Sequence, residues 1–331
     1  MTARATPSLR RYGHASAGSA APLRIELLKL RRPLVAWLAL LGAGVTLLLA
    51  FFAVHHAHVV LGLLGPVHVP PCNQIVITTG QSCATVRHVL YEEAVLARRG
   101  SLSAIAQGRS LESPIGAGAT AAIVFATVPG ATVAFLLTAA HVAAEWSDRT
   151  LKLTLLRDCR RWRFLVRKTV SSWLVVVGCL LLAWLVLALA APFFHAADPL
   201  NAVADPGYGL ADVLVALAKA ALALAGFTTI GVVVAVVSRS VLGTVVGCLG
   251  LLTASFFADH FALLTPFTLP YWVTGLLHLQ AGALAMPLLW VSAFSGTPAA
   301  STLDGVVGVV ALIVAASTVA IAVFSRQDVT G

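Results

Sequence analysis

The segment EWSDRTLKLTLLRDCRRWRFLVRK, residues 145–168, holds eight basic and three acidic side chains between two long apolar stretches. Read as a helix, it places Glu145 four residues before Arg149, and Asp148 stands in the same relation to Lys152. Acid-first pairs at this spacing stabilise a helix, whereas positive charge alone is enough to retain a loop on one side of a membrane. The pattern therefore predicts an ordered amphipathic element at the membrane surface, beyond what retention alone requires.

An energy source within the chain is the next chemistry to consider. A nucleotide-binding P-loop requires the pattern GxxxxGK[ST], and the sequence contains no Gly-Lys pair. The apolar stretches also contain no cluster of carboxylates and histidines of the kind that relays protons. We therefore expect no enzymatic activity and no cofactor in this chain. If the protein moves a substrate uphill, a partner must supply the energy.

Two further places have residue types that suggest a role within the membrane. Asp212 and Lys219 are seven residues apart, so they share one helix face, and a charge within a span is a functional candidate. The alternative is that Lys219 extends to the interface or forms a structural pair with Asp212. Pro129 and Gly130 interrupt an apolar stretch, where they predict either a hinge or a bend needed for packing.

Cysteines and histidines gather after the first apolar stretch. Cys72 and Cys83 both lie in residues 58–115, where an extracellular location would allow a disulfide between them. The nearby histidines lack acidic or further cysteine ligands at a fixed spacing, so interfacial polarity is their expected role and no metal site is predicted. These histidines are His55, His56, His58 and His68.

The composition then determines which elements must position these residues. Of 331 residues, 59% are hydrophobic and 11% are charged, and the mean hydropathy is +0.92. A soluble domain has about a quarter charged residues, whereas uncharged stretches of about 20 residues match the thickness of a bilayer. The sequence thus predicts an all-α integral membrane protein with six transmembrane helices. They cover residues 34–57, 116–141, 169–193, 211–237, 240–258 and 304–324.

The distribution of Lys and Arg gives the orientation. Residues 1–32 hold seven of them and residues 145–168 hold eight, so both regions are expected in the cytoplasm of a multi-pass plasma-membrane protein. With six spans, the N- and C-termini are then both cytoplasmic. The net charge of +9 serves mainly this anchoring, and no basic face on a soluble domain suggests nucleic-acid binding.

The remaining regions complete a single membrane domain over residues 21–331, after a disordered cytosolic tail at 1–20. Residues 21–35 predict a short interfacial helix, which acts either as an anchor or as a lever. Residues 58–115 form a long extracellular loop with a short helix at 84–99 followed by a connector. Residues 261–303 are broken by proline and glycine and predict external re-entrant or interfacial helices.

The cytosolic coupling segment at 142–168 resembles one found in the permease subunits of ABC transporters of the type 2, or export permease, family. The resemblance extends to ELLKLRR at 26–32 and to FSRQDV at 324–329. This chain departs from the family pattern at Arg149, Asp158 and Arg160, where Gly, Pro and Ser are usual. The residues that match in order and spacing are Glu145, Thr150, Leu151, Leu155, Leu156, Arg161, Phe164, Leu165 and Lys168.

The resemblance implies a permease that forms a translocation pathway with a second permease subunit and is driven by a separate ABC ATPase subunit, which binds ATP and Mg. It also implies that the matched residues other than Leu165, together with Arg149, couple the membrane domain to that ATPase. Two alternatives stay open. One is a secondary transporter or channel that needs no ATPase, and the other is a scaffold or sensor that transports nothing.

Overall fold

The computed structural model describes residues 33–63, 71, 82–147, 161–197, 208–258, 261, 263–277 and 301–327. These residues form helices and turns, with no β-strand among them. In chain order the α-helices are α1 (Pro33–Leu63), α2 (Cys83–Ser110), α3 (Pro114–Phe125), α4 (Val128–Thr138), α5 (Ala144–Ser147), α6 (Arg161–Ala197), α7 (Leu210–Ser238), α8 (Val241–Ala258), α9 (Leu269–Leu277) and α10 (Thr302–Arg326).

Five stretches of helix in the described residues are long and apolar enough to cross a membrane. The helical class and the multi-pass membrane character predicted from the sequence are therefore confirmed. Helix α8 has 18 residues and spans about 27 Å, slightly less than the hydrocarbon core. The five stretches are Ala36–Val59, Val128–Trp146, Arg161–Phe194, Leu210–Ser238 and Thr302–Arg326.

Several threonine hydroxyls inside these helices bond to carbonyls of their own helix. Thr46 donates to the carbonyl of Gly42 at 2.8 Å, and Thr228 donates to that of Leu224 at 2.8 Å. In lipid no water is present to hydrogen-bond these hydroxyls. Donation to a carbonyl of the preceding turn therefore removes the cost of burying each hydroxyl. Large apolar side chains such as Trp37 face outward on α1, as expected for a surface that contacts lipid.

Helix α7 is the centre of the bundle and contacts α3, α4, α6, α8, α9 and α10. Small residues allow close approach elsewhere in the bundle. A Cβ at Gly305 of α10 would overlap the backbone nitrogen of Leu276 in α9, and one at Gly118 of α3 would lie 2.5 Å from the indole nitrogen of Trp184. Glycine at such contacts lets helix backbones pack against each other where no hydrophobic effect drives association.

The region predicted as an extracellular loop contains a 28-residue helix, α2, which is longer than the short helix expected at 84–99. Part of the expected connector after residue 99 is helical, and two of its apolar side chains, Ile105 within the helix and Leu111 just after it, are fully buried. The Ser110 hydroxyl also bonds the Thr120 hydroxyl of α3 at 2.8 Å. Tertiary packing thus overrides the Gly and Ser content of this segment.

The predicted span at 116–141 is divided into α3 and α4. Pro129 lacks an N–H, and its ring conflicts with the carbonyl four residues earlier, which belongs to Phe125, the last residue of α3. A Cβ at Gly130 would overlap that same carbonyl oxygen. Pro129 and Gly130 therefore lie at a real break in the helix, while their role as a hinge stays a prediction.

The segment before the last helix is described in part. A 3₁₀ turn at Thr265–Phe267 is followed by α9, which packs on α10. The short broken helices predicted at 261–303 are thus seen in their first half. Residues 278–300, the tail at 1–20 and most of the predicted interfacial helix at 21–35 lie outside the described residues.

Substitution of Gly130 by Ala tests the close contact at the break. We expect Gly130→Ala to lower the stability of the folded protein by about 1–3 kcal/mol, because the added methyl group meets a backbone oxygen that cannot move away. Thermal unfolding of the purified protein in detergent measures the effect. Gly178→Ala on α6 is the matched control, since nothing lies within 4 Å of its added Cβ. Equal midpoints for the two variants would contradict this account.

Candidate functional site

A buried ion pair joins α5 to α6. The Lys168 ammonium nitrogen lies 2.5 Å from Oε1 of Glu145, and the Lys168 side chain is 1% exposed. Its Nζ also lies 3.5 Å from the His141 carbonyl oxygen and 5.8 Å from the centre of the Phe164 ring. Burial of both charges is costly, so the pair persists only while these neighbours keep it in good geometry.

The polar cluster continues from the ion pair to His141, which contacts Ser171 of α6. Its Nε2 lies 3.0 Å from the hydroxyl of Ser171, and that hydroxyl lies 3.1 Å from the Lys168 carbonyl. Since a serine hydroxyl has one proton, both bonds form together when Ser171 donates to the carbonyl and accepts from a protonated Nε2. His141 lies in a π-helical turn, Ala139–Ala143, and such turns are frequent at functional sites.

Arg161, the first residue of α6, binds the end of α10. One guanidinium nitrogen lies 3.3, 3.1 and 2.8 Å from the carbonyl oxygens of Phe324, Ser325 and Gln327. Carbonyls in the last turn of a helix lack hydrogen-bond donors within the helix and carry a partial negative charge. A cationic donor there supplies the hydrogen bonds and offsets the charge. The Gln327 amide donates in turn to the Val236 carbonyl of α7 at 3.0 Å. The ends of α6, α7 and α10 are therefore linked.

Aromatic side chains fill the space between these polar contacts. Phe324 of α10 stacks on Phe164 of α6 with ring centres 5.8 Å apart, and it meets Trp146 of α5 edge to face at the same distance. Phe164 and Phe324 are 4% and 1% exposed. Such ring pairs add about 0.5–1.5 kcal/mol each beyond the area they bury. The two helices that flank residues 148–160 are thus packed on the same phenyl ring.

The predicted coupling residues divide into two groups. Glu145, Arg161, Phe164 and Lys168 are described, and each contacts another part of this chain. The other five lie outside the described residues, so their contact with a partner stays a prediction. They are Arg149, Thr150, Leu151, Leu155 and Leu156.

The other candidates occupy separate places. The Asp212 carboxylate accepts the Gly209 N–H at 2.9 Å at the start of α7, and no ion pair joins it to half-buried Lys219. Burial, and secondarily the charge of Asp212, raises the pKa of the nearby Tyr208 phenol. Within the described residues, no group of three or more His, Cys, Asp or Glu could hold a metal ion.

The predicted disulfide is half described. Cys83 at the start of α2 is disulfide-bonded, and Cys72, its predicted partner, lies outside the described residues. The free cysteines in the described part of the chain are Cys179 in α6 and Cys248 in α8, and both are buried. The bond at Cys83 agrees with the prediction of a disulfide in this region, and the identity of its partner stays a prediction.

The sequence did contain a signal for the residues that were missed. His141 precedes Glu145 by four residues and Ser171 follows Lys168 by three, so each lies on the same helix face as one member of the ion pair. The sequence alone does not connect these residues, because residue 141 ends a predicted span and residue 168 ends the predicted cytosolic segment. Phe324 and Gln327 are distant in sequence from the pair and offer no such signal.

Substitution of the ion pair separates its net contribution from the cost of breaking it. We expect Lys168→Met to lower the stability by about 3–5 kcal/mol, because the Glu145 carboxylate stays buried without the ammonium group. The double variant Glu145→Leu with Lys168→Met is expected to regain most of the loss, since both charges are removed. Thermal or denaturant unfolding in detergent measures all three proteins.

The exposed contact of His88 with Glu92 on α2 provides the control. These groups are 3.9 Å apart and largely exposed, so Glu92→Gln should change stability by less than about 0.5 kcal/mol. A double variant as unstable as Lys168→Met alone would mean that the site depends on the ionic character of the pair and not on its neutralisation.

Loss of the Arg161 side chain should loosen the end of α10. We expect Arg161→Gln to speed amide hydrogen exchange over residues 320–327 by roughly five-fold to twenty-fold, because carbonyls near the helix end lose a charged donor worth about 1–2 kcal/mol. Arg163→Gln is the control, since the exposed Arg163 side chain lies over Trp162. Equal exchange in both variants would remove the link between α6 and α10.

Comparisons of the chain with protein-family models, with curated proteins and with solved structures gave no match. The function of the site must therefore be argued from its own geometry. A neutralised buried ion pair, a capped helix end and a shared aromatic layer hold together the two helices that flank residues 148–160.

Proposed function

We propose that the chain is the membrane-spanning permease subunit of an ATP-driven ABC exporter. In this proposal two permease subunits form the translocation pathway, and a separate ABC ATPase subunit binds ATP and Mg at the cytosolic face of the plasma membrane. The chain has six spans, with both termini in the cytoplasm. Helix α8 supplies the span beyond the five that meet the length criterion, and its length of about 27 Å allows this in a slightly thinned bilayer.

The observation that carries the proposal is that the two helices flanking residues 148–160 are both fixed to the bundle. On one side Glu145 is paired with Lys168, and on the other Arg161 is bonded to the end of α10. A segment held in this way transmits a push from a partner directly to the helices that flank it. A flexible loop that served only for retention in the cytoplasm would need no such frame.

The mechanism follows from this frame. Closure of the ATPase pair around ATP displaces residues 148–160, and the attached spans α4–α5 and α6 move with them. Such a displacement shifts the permease between inward-open and outward-open states only if nucleotide binds the two states with different affinity. The contact of α6 with the ends of α7 and α10 means that these helices respond together.

A second candidate is a proton-coupled transporter that needs no ATPase. The cluster of His141, Lys168 and Glu145 supports it, because buried ionisable groups within spans are typical of proton pathways. Taken alone, the sequence shows no such cluster in its apolar stretches, and this argued against a proton-coupled transporter. The two candidates differ in a measurable way, since only the exporter requires a stable complex with an ATPase.

The test of the exporter begins with the reading frames that flank the gene. We expect one of them to encode a P-loop ATPase that forms a stable complex with this chain in detergent, and whose ATP hydrolysis changes on complex formation. If no flanking frame encodes such an ATPase, or if hydrolysis is the same with and without the chain, the proton-coupled candidate gains and the exporter is rejected.

Substitutions within the segment distinguish docking from folding. We expect Leu151→Asp and Leu155→Asp to weaken the complex by roughly ten-fold or more, because a carboxylate would replace an apolar side chain at a protein contact. Thermal stability should stay unchanged, since the buried frame at Glu145 and Arg161 is untouched. Val89→Asp on the exposed face of α2 is the control. Full complex formation by both leucine variants would contradict the assigned role of the segment.

A further inference from the structure

A groove of about 270 Å³ opens between α6, α7 and α10, next to the end of the bundle where α6 begins. It lies within the membrane-spanning stretches of all three helices, so its opening faces lipid. Its walls are apolar and come from one face of each helix. Among the side chains that line it are Leu165, Val166, Trp173, Val232, Ile313 and Ile321.

Three of the four polar side chains that line the groove already have hydrogen-bond partners within the chain. The hydroxyls of Thr169 and Thr229 donate to the carbonyls one turn earlier at 2.9 and 2.7 Å. The Trp173 indole nitrogen donates to the Ala221 carbonyl of α7 at 2.8 Å. A molecule that enters the groove therefore meets few groups that need a hydrogen bond. The interior suits a hydrocarbon chain better than a polar ligand.

The length of the groove fits one leaflet. From Leu165 to Trp173 on α6, and from Ile313 to Ile321 on α10, it extends eight residues, or about 12 Å along each helix. Half of the hydrocarbon core of a bilayer is about 15 Å thick. An acyl chain that enters from the surface beside the start of α6 would thus lie in the groove for most of its depth in that leaflet.

The end of the groove has a basic and aromatic rim. Trp162 and Arg163 lie one helical turn before Leu165 and Val166, and both are exposed. The Arg163 guanidinium carbon lies 5.5 Å from the centre of the Trp162 ring. Two neighbouring cations point elsewhere, since Arg161 binds the end of α10 and Lys168 is buried with Glu145. Arg163 is thus a cation held at headgroup level next to an apolar groove.

We propose that this groove is a binding site for an anionic phospholipid, with one acyl chain between α6, α7 and α10 and the phosphate group against Arg163. Basic residues at the end of a gap between spans recognise anionic headgroups, and the indole of Trp162 suits the interface. A second copy of this chain fits less well, because it would have to bury the Arg163 charge at its edge. The inference depends on the membrane-spanning character of the chain and not on the proposed exporter function.

The test is lipid binding to the full purified chain, measured by native mass spectrometry in detergent. The probes are dioleoyl phosphatidylglycerol and dioleoyl phosphatidylcholine, which share acyl chains and differ in headgroup charge. We expect the wild-type protein to prefer the anionic lipid, and Arg163→Gln to weaken that binding by about five-fold while leaving the neutral lipid unaffected. Ser317→Phe, which fills the groove, should lower the binding of both lipids.

Arg239→Gln is the matched control, because Arg239 is an exposed arginine in the turn after α7 that does not line the groove. Equal binding of the two lipids by the wild-type protein, or unchanged anionic-lipid binding by Arg163→Gln, overturns the proposal. So does a Ser317→Phe protein that changes from dimer to monomer with its lipid intact, since the groove would then be an interface between copies. If Ser317→Phe does not fold, the comparison of Arg163→Gln with Arg239→Gln decides.

Discussion

The contact between Lys168 and Glu145 constrains the whole end of the bundle at which α6 begins. An ammonium group and a carboxylate removed from water are each costly by several kcal/mol, and their attraction offsets this only at close range. Since the groups are 2.5 Å apart, α5 and α6 cannot slide past each other without exposing a buried charge to an apolar neighbour. The ends of the two helices that flank residues 148–160 are therefore fixed relative to each other.

The Arg161 contact extends the constraint to the rest of the bundle. It ties the start of α6 to the end of α10, and Gln327 continues the link to α7. At the other end of α4 the backbone is divided, because Pro129 cannot bond to the carbonyl of Phe125. A displacement at the end of the bundle where α6 begins therefore reaches α6, α7 and α10 through continuous contacts. Between α4 and α3, by contrast, the helix is interrupted. Coupling between distant sites needs such a contiguous network.

The sequence predicted those helices whose length and lack of charge are sufficient signals. The spans predicted at 34–57, 169–193, 211–237, 240–258 and 304–324 all correspond to helices. The sequence predicts the division of 116–141 only as a kink. It predicts the helix from Cys83 to Ser110 only over residues 84–99, because the packing of the remainder depends on contacts with other helices. The site was half predicted. Glu145 and Lys168 were identified as site residues, but they were expected in a cytosolic segment, since hydropathy scores a buried ion pair as two exposed charges.

The arrangement of the polar cluster also bears on the choice between the two functional candidates. A proton pathway must continue from one side of the membrane to the other. On α6 the polar residues end at Ser172, and residues 173–193 contain tryptophan, glycine, proline, one cysteine and otherwise apolar side chains. Lys168 and Glu145 neutralise each other at close range and are enclosed by Phe164 and the His141 carbonyl. A cluster that is enclosed in this way and ends at Ser172 on α6 is better suited to fix α5 to α6 than to carry protons. That is the role that the proposed exporter requires.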